Sequence, residues 1–361
     1  MAAPFEKERQ IAEEAVFRAA ILTKKIQSSV RELPKADATP VTVADFAAQA
    51  LIISALRAVF PDDAFLGEED ASALREDAEL RERVYELVCS ASASAGGSGA
   101  TQQQLAAPSS VDEMMDLIDL GGSGRGGPTG RFWVMDPIDG TATFLLGQQY
   151  AISLALIDGG REAVGVLACP NLRLTDEGRL KEDSVDTEGL GVMITAVKGQ
   201  GATARYLPST TGEGGLTPAQ PLPRFASGNG QSPDKIHFVD SQKSKSARND
   251  LTRAFAQQLG AGYPGTDIWS SHVRYAAMIL GGGDIWLRVP TRPDAVFYIW
   301  DNAGAQLIFT ELGGKITDLD GKETDFGAGR DLNRNRGMVA AREGVYDLAF
   351  KGINQLVNAE N

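Results

Sequence analysis

The sequence predicts an α+β protein built in layers, in which a domain of helices and antiparallel sheet precedes an α/β domain. Two long helical patterns open the chain, and a run of short β-rich segments with glycine turns follows them. Alternating strand and helix patterns then fill the C-terminal third. Because 361 residues exceed the usual length of one domain, we expect two, residues 1–223 and residues 224–361.

The first elements are helices with apolar faces. In residues 6–30, apolar side chains recur at steps of three and four, which places them on one side of a helix. The same spacing continues after Thr42, whose hydroxyl is a suitable N-cap, and it ends before Pro61. Residues 65–69 are expected to form a short buried strand, and residues 70–89 a further helix.

A set of β-rich runs then predicts an antiparallel sheet, since short strands joined by glycine turns pair with their neighbours along the chain. The runs are residues 131–136, 150–157, 163–169, 189–197 and 201–207. Two segments have no such pattern. Residues 90–104 are rich in Ser, Ala, Gly and Gln and are expected to form a surface insertion. Residues 208–234 are expected to join the two domains.

The rest of the chain alternates between strand and helix patterns, which predicts the α/β domain. In order, these are strand 235–240, helix 247–260, a short segment 267–271, helix 272–282, strand 284–289, helix 301–313 and strand 337–341.

Charge and composition exclude several functions. Lys and Arg total 35 against 48 Asp and Glu, and the net charge of −13 repels nucleic acid and anionic membranes. No run reaches the roughly 18 apolar residues of a membrane span, and the N-terminus lacks a signal-peptide pattern. Cys89 and Cys169 are too few and too far apart for a disulfide framework. We expect a cytoplasmic protein, and a monomer, although the sequence does not exclude a dimer.

The strongest chemical signal is WVMDPIDGT, residues 133–141. A hydrophobic strand is expected to end at Asp136, and a turn at Pro137 can direct Asp136, Asp139 and the Ile138 carbonyl into one small volume. Mg²⁺ prefers such oxygen ligands. Thr141 follows, where its hydroxyl could orient a nucleophile. Taken alone, the motif is equally consistent with two turn aspartates and an N-cap threonine, which are common in loops.

Further acids strengthen the metal hypothesis. Glu68 and Glu69 end the strand at 65–69, and adjacent carboxylates repel each other unless a cation lies nearby. Asp301 follows an aromatic run and precedes a helix pattern, and Asp45 lies in the first turn of the second helix. Each also has an ordinary alternative: a solvated strand end for the glutamates, a helix cap for Asp301 and a helix-dipole position for Asp45.

In this order, TVADFAAQALI, FLGEED, WVMDPIDGT and IWDNAGA resemble the magnesium-dependent, lithium-sensitive phosphatases of the inositol monophosphatase superfamily. Other stretches are similar to the 3′(2′),5′-bisphosphate nucleotidases within that superfamily. They are PVTVADFAAQ, FPDDAFLGEE, GRFWVMDPIDGT, the ACPNL turn, SSHVRYAAM, DIWLRVP and DFGAGR. The resemblance implies the layered fold shared by inositol monophosphatases and fructose bisphosphatases.

The resemblance also implies residue roles. Two or three Mg²⁺ ions would be bound by Glu68, Asp136, the Ile138 carbonyl, Asp139 and Asp301. Asp45 and Thr141 would activate the attacking water. Contacts to the substrate would come from Thr141, Ser241, Ser271, Arg274, Arg288 and Asp301.

The chain departs from the nucleotidases at two places. Their Lys-Gly-Phe-Leu-Arg-Gly after Asp-Gly-Thr is replaced by residues 142–147, ATFLLG, so two positive charges are absent. Their Ser-His-Ser stretch becomes Ser241-Gln242-Lys243, so a phosphate-contacting histidine is absent, and Lys243 or Lys245 would replace only its charge. These changes do not involve the expected metal ligands.

The function expected from these motifs is removal of the 3′-phosphate from adenosine 3′,5′-bisphosphate, or from its 5′-phosphosulfate form. Hydrolysis of an inositol phosphate or another small phosphate ester is the alternative within the class, and the absent charges favour it. A non-catalytic protein that binds nucleotide or metal is the alternative outside the class. Clustered carboxylates argue against it, because a site without a cation has no physical need of them.

Overall fold

Two long helices open the chain, as the apolar spacing predicts: α1 spans Glu6–Val30 and α2 spans Thr39–Val59 in the computed structural model. Thr42 lies within α2 rather than at its N-cap, because the helix already begins at Thr39. The structure describes residues 3–30, 39–94, 107–207, 215–225, 232–292 and 294–359. Most of the expected insertion at 90–104 and parts of the expected junction at 208–234 therefore lie outside the described residues.

The strands form two main sheets and one short pair, and the shorter helices pack around them. The remaining helices are α3 (Ser72–Glu76), α4 (Ala78–Ser94), α5 (Val111–Gly122), α6 (Thr141–Leu145), α7 (Asn249–Leu259), α8 (Ser271–Ile279), α9 (Ala305–Glu311) and α10 (Glu343–Ala359). The first sheet contains β1 (Ala64–Gly67), β2 (Arg131–Asp139), β3 (Ala151–Asp158), β4 (Arg161–Cys169), β5 (Val192–Val197), β6 (Ala202–Tyr206) and β7 (Gln220–Pro221). The other strands are β8 (Val239–Asp240), β9 (Thr266–Asp267), β10 (Ile285–Arg288), β11 (Gly314–Thr317) and β12 (Met338–Arg342).

The first sheet has its strands in chain order, from β1 to β7. Antiparallel pairing holds from β2 to β7, as the glycine-separated runs predict. The edge strand β1, which the sequence analysis predicted as a strand but did not assign to this sheet, is parallel to β2. The physical reason is the long connection through α3, α4 and α5, because a parallel pair requires a crossover.

The second sheet has the order β10-β12-β11 and is antiparallel, with the parallel pair β8–β9 beside it. Alternate residues of β10 face opposite sides: Trp286 packs in a core with α8 and α9, whereas Ile285 and Leu287 pack with Phe255 of α7 and Tyr346 of α10. A strand buried on both faces requires a helical layer on each side.

Helices and sheets therefore alternate in five layers: α1 and α2, the first sheet, α8 and α9, the second sheet, and α7 with α10. This arrangement confirms the α+β class and the order of its parts. The division at residues 223 and 224 stays a prediction.

Helices α5 and α10 are absent from the sequence-based expectations. For α5 the signal was present: the Ser110 side chain accepts a hydrogen bond from the Glu113 N–H at 3.1 Å, within a Ser-x-x-Glu sequence typical of helix starts. Within the described ranges, none of the helices has the length and apolar character that crossing a membrane demands.

Candidate active site

A β-bulge in β2 brings Asp136 and Asp139 to one place. Asp136 pairs with Ser153 and Asp139 pairs with Ala151, so β2 has one more residue than β3 over this stretch. Residues three apart in a regular strand point to opposite faces, and one extra residue returns them to the same side. Pro137 explains the position of the bulge, because proline has no N–H to donate to the ladder. The strand thus continues through the motif instead of ending at Asp136.

Gly140 ends the strand and Thr141 begins α6. The φ of Gly140 is +101°, in the left-handed region, and a Cβ there would lie 2.9 Å from the Thr143 hydroxyl. Only glycine fits both conditions. The Thr141 side chain is exposed, and its Oγ1 lies 3.5 Å from the Ile138 carbonyl oxygen. The Thr141 hydroxyl and the Ile138 carbonyl therefore lie beside Asp136 and Asp139, as the sequence predicts.

Glu68 reaches the same place from β1. Gly67 pairs with Met135 in the parallel register, so Glu68 follows the strand directly beside Asp136, and the charge of Glu68 contributes to the raised pKa of Asp136. The fully buried Gln49 of α2 fixes this segment: its side chain donates to the Glu69 carbonyl at 2.7 Å and accepts from the Glu69 N–H at 3.1 Å.

Asp45 lies one turn before Gln49 on α2 and is buried. Burial, together with the charges of Glu69 and Glu68, raises the pKa of the Asp45 carboxyl well above its usual value. The charge of Asp45 in turn contributes to the raised pKa of Asp136. The structure thus places Asp45 within the acidic cluster, although it lies far from the other members in the sequence.

Asp301 joins the cluster from the opposite side of the sheet. It lies in a turn, and α9 begins only at Ala305 with Gly304 as its N-cap, which corrects the expectation that Asp301 starts the helix. Gly165 of β4 allows this turn to approach, since a Cβ at Gly165 would lie 2.5 Å from the Gly304 carbonyl oxygen. Burial raises the pKa of Asp301, and the positive charge of Arg288 opposes that shift.

The electrostatics of the cluster favour a cation. Burial, followed by the charges of Glu69, Asp301 and Asp139, raises the pKa of Glu68 to about 8. Burial and the charges of Glu68 and Asp139 likewise raise the pKa of Asp136 well above its usual value. One oxygen of Asp136, Oδ1, is buried without a hydrogen-bond partner among the described residues. A buried, unpaired carboxylate oxygen among like charges fits a hard divalent cation.

The sequence analysis missed Ser270 and His272, which hold Asp139. The Ser270 hydroxyl donates to Asp139 Oδ2 at 2.6 Å, and the backbone N–H of His272 donates to the same atom at 2.5 Å. The His272 ring lies within reach of the ligand atoms of Asp136 and Asp139. Its Nε2 contacts the Trp300 carbonyl at 2.7 Å, and its Nδ1 has no partner in the part of the chain that the structure describes. The Ser-Ser-His sequence at a helix start was the available signal.

Ser270→Ala is expected to weaken both the fold and metal binding. The Ser270 hydroxyl also accepts from the Val273 N–H at 3.1 Å as the N-cap of α8, so its loss should lower the free energy of unfolding by about 1 kcal/mol. The Ser270 hydroxyl also orients Asp139, which the sequence analysis expects to be a metal ligand. The Mg²⁺ concentration that half-saturates the site should therefore rise by about 10-fold or more. Ser110→Ala is the matched control, since Ser110 caps α5 without contacting Asp139. Equal Mg²⁺ dependence in the two variants would contradict the orienting role.

The expected substrate contacts lie around the cluster. Arg274 is buried on α8, where its Nη2 donates to the Ser271 hydroxyl at 3.0 Å. Burial and the charge of Arg288 lower the pKa of Arg274 to about 10, and the charges of Asp139 and Asp301 oppose that shift. Ser271 is the first residue of α8, and Ser270 is the N-cap of that helix.

Arg288 and Ser241 lie on the C-terminal strands. The Arg288 guanidinium lies 4.1 Å from the centroid of the Phe297 ring, and burial lowers its pKa against the charge of Asp301. Ser241 is buried directly after β8, next to Asp240, whose raised pKa is opposed by the charge of Arg274. Both arginines thus interact electrostatically with the acids, and Ser241 follows Asp240, which interacts in the same way with Arg274.

Arg330 is a third residue that the sequence analysis did not single out. Its Nη2 donates to the Gly67 carbonyl at 2.9 Å, and its guanidinium lies 4.6 Å from the centroid of the Trp300 ring. The residues that follow these two contacts are Glu68 and Asp301. Arg330 therefore connects the chain segment that carries Glu68 with the one that carries Asp301.

The model of the inositol monophosphatase family matches residues 5–358. The chain belongs to this family of metal-dependent phosphatases.

Its relatives include enzymes with a more specific name. The 3′(2′),5′-bisphosphate nucleotidase of Emericella nidulans is 38% identical over 362 residues, covering 98% of this chain and 99% of that protein. The nucleotidase of the same name from Schizosaccharomyces pombe is 36% identical over 361 residues, covering 95% and 94%.

Solved structures share the fold at low sequence identity. Inositol monophosphatase II from Staphylococcus aureus is 17% identical, covers 95% of this chain and 93% of its own, and has a TM-score of 0.55. The extragenic suppressor protein suhB from Bartonella henselae is 15% identical, covers 96% and 99%, and has a TM-score of 0.56.

Proposed function

We propose that this protein hydrolyses the 3′-phosphate of adenosine 3′,5′-bisphosphate, and of its 5′-phosphosulfate form, with Mg²⁺. The observation that carries the proposal is the cluster of carboxylates from four distant parts of the chain around the unpaired Oδ1 of Asp136. The full-length similarity to named nucleotidases supports the choice of substrate.

The metal-binding residues in this proposal are Glu68, Asp136, the Ile138 carbonyl, Asp139 and Asp301, and they would hold two or three Mg²⁺ ions. When bound, such ions polarise the phosphoryl group, activate water and neutralise charge on the leaving oxygen. The protein contributes a fixed set of oxygen donors: the bulge aligns Asp136 with Asp139, and Ser270 and His272 hold Asp139 in place.

Asp45 and Thr141 are proposed to hold the attacking water. Asp45 is buried among acids with a raised pKa, so it accepts a proton readily, and the exposed hydroxyl of Thr141 lies at the mouth of the site. Arg274 and Arg288 are proposed to receive the anionic groups of the substrate, because their charges already face the acids.

A phosphate-release assay with Mg²⁺ tests the proposal directly. Adenosine 3′,5′-bisphosphate, inositol 1-phosphate and inositol 1,4-bisphosphate are compared at equal concentration. We expect the highest kcat/KM for adenosine 3′,5′-bisphosphate, with adenosine 5′-monophosphate as the product. A higher kcat/KM for either inositol ester would replace the proposed substrate. Absence of phosphate release from all three would favour the non-catalytic alternative.

The second candidate, an inositol phosphate or another small phosphate ester, rests on one observation. Ala142 and Leu146 stand where related nucleotidases carry positive charges after Asp-Gly-Thr. Their loss weakens attraction for a second phosphate, which a monophosphate substrate does not need.

Metal-free protein is expected to lose stability as pH rises. Carboxyls with raised pKa values, including Glu68 at about 8, bind more protons in the folded chain than in the unfolded chain, where the value is near 4.5. Stability in chelator should therefore fall between pH 4.5 and 8, and added Mg²⁺ should raise the melting temperature more at pH 8 than at about pH 6. The measurement is thermal unfolding at both pH values. Asp136→Asn should flatten the pH dependence in chelator; an unchanged slope would contradict this account.

A further inference from the structure

Trp269 has an unusual environment for a tryptophan. Trp133 and Trp286 are fully buried and Trp300 is 6% exposed, whereas Trp269 is 38% exposed, and all four lie in the described ranges. Its neighbours Ile268 and Ser270 are fully buried, so the backbone is held in place while the indole faces solvent. Trp269 is therefore the one of these four rings with a substantial part of its surface open to solvent.

The position of Trp269 links it to the candidate active site. Ser270, the next residue, donates to Asp139. The Trp269 carbonyl accepts from Arg274 Nη2 at 3.3 Å, and its N–H donates to Glu182 Oε2 at 2.7 Å. Consecutive Cα atoms are about 3.8 Å apart. The Cα of Trp269 therefore lies that close to the Cα of Ser270, whose hydroxyl contacts the acidic cluster.

Leu146 is a second exposed apolar side chain, on a chain segment that shares a hydrogen-bond partner with Trp269. It is 58% exposed and follows α6, the short helix that begins at Thr141. Three residues later, the Gln149 N–H donates to the Glu182 carbonyl at 3.2 Å. Glu182 thus holds the segments that carry Leu146 and Trp269, two exposed apolar side chains beside an acidic site.

We propose that Trp269 is the surface on which the nucleobase of the substrate stacks. This inference rests on the proposed function and names the element that separates a nucleotide from an inositol phosphate. Every nucleobase has a π face that can stack on an aromatic ring. Stacking can therefore supply binding energy for a nucleotide in place of the two positive charges that are absent from residues 142–147. An inositol ring has no π face with which to stack on the indole.

Steady-state kinetics on adenosine 3′,5′-bisphosphate provide the first test. Trp269→Ala should raise KM by about tenfold with a much smaller change in kcat, because the base is bound equally in the ground and transition states. Trp269→Phe keeps an aromatic face and should restore most of the loss. Tyr206→Ala is the matched control, since Tyr206 is 59% exposed on β6, away from the acids. Equal KM values for Trp269→Ala and Tyr206→Ala would overturn the proposal.

Tryptophan fluorescence provides a readout that does not depend on turnover. At constant Mg²⁺, adenosine 5′-monophosphate should quench the emission of the wild-type protein and of Tyr206→Ala, but not that of Trp269→Phe. Inositol 1-phosphate, which has no aromatic ring, should not quench. Wild-type emission that does not respond to saturating nucleotide would overturn the proposal while leaving the proposed function intact. Quenching without phosphate release would instead support base binding and contradict the proposed function.

Discussion

Asp136→Asn is expected to lower kcat/KM by roughly 10²- to 10⁴-fold while the protein stays folded. Asp136 contributes the buried oxygen without a hydrogen-bond partner, so the amide removes a negative charge from the centre of the proposed metal site. Loss of one charged partner from a buried pair costs roughly 3–5 kcal/mol, and each 1.4 kcal/mol corresponds to a factor of ten in rate. The measurement is phosphate release at saturating Mg²⁺.

The same substitution should not destabilise the metal-free protein. Burial and neighbouring carboxylates disfavour the charge on Asp136, so a neutral amide of similar shape relieves repulsion. The melting temperature in chelator should therefore equal or exceed that of the wild type. Asp158→Asn is the matched control, because Asp158 is an exposed aspartate on the neighbouring strand β3. Full activity in Asp136→Asn would refute the metal assignment.

Asp45→Asn is expected to lower kcat by roughly 10²- to 10⁴-fold, the usual contribution of a general base. Mg²⁺ binding should change far less, because Asp45 lies beside the proposed ligands without being one of them. Isothermal calorimetry of Mg²⁺ binding, compared with kcat at saturating Mg²⁺, separates the two effects. A loss of Mg²⁺ affinity that accounts for the whole rate decrease would make Asp45 a metal ligand instead.

Thr141→Val tests the partnership between Asp45 and Thr141. Valine keeps the shape of the exposed Thr141 side chain and removes its hydroxyl. If both residues hold one water molecule, the double variant should lose about as much activity as the worse single variant, since residues that act as a unit are not additive. Losses that multiply in the double variant would show that the two residues act independently.

Much of the fold followed from local pattern. The three- and four-residue spacing in residues 6–30 produced α1, and glycine-separated β-rich runs produced the antiparallel part of the first sheet. Helix α10 carries buried apolar residues at helical spacing, such as Val345, Ala349 and Ile353, so its pattern was also present in the sequence. The parallel edge strand β1 could not be read from its own four residues, because pairing direction depends on a crossover of more than sixty residues.

The sequence by itself determined the kind of chemistry: acids at strand and helix ends, in an order that resembles a phosphatase family, predict a site for a hard cation. Tertiary structure alone decided how that site is assembled. The bulge that turns Asp136 and Asp139 to one side depends on pairing with β3, and the groups that hold Asp139 come from α8, about 130 residues away in the chain. Exposure of Trp269 was equally invisible in the sequence, because whether a ring is covered depends on which distant elements pack against it.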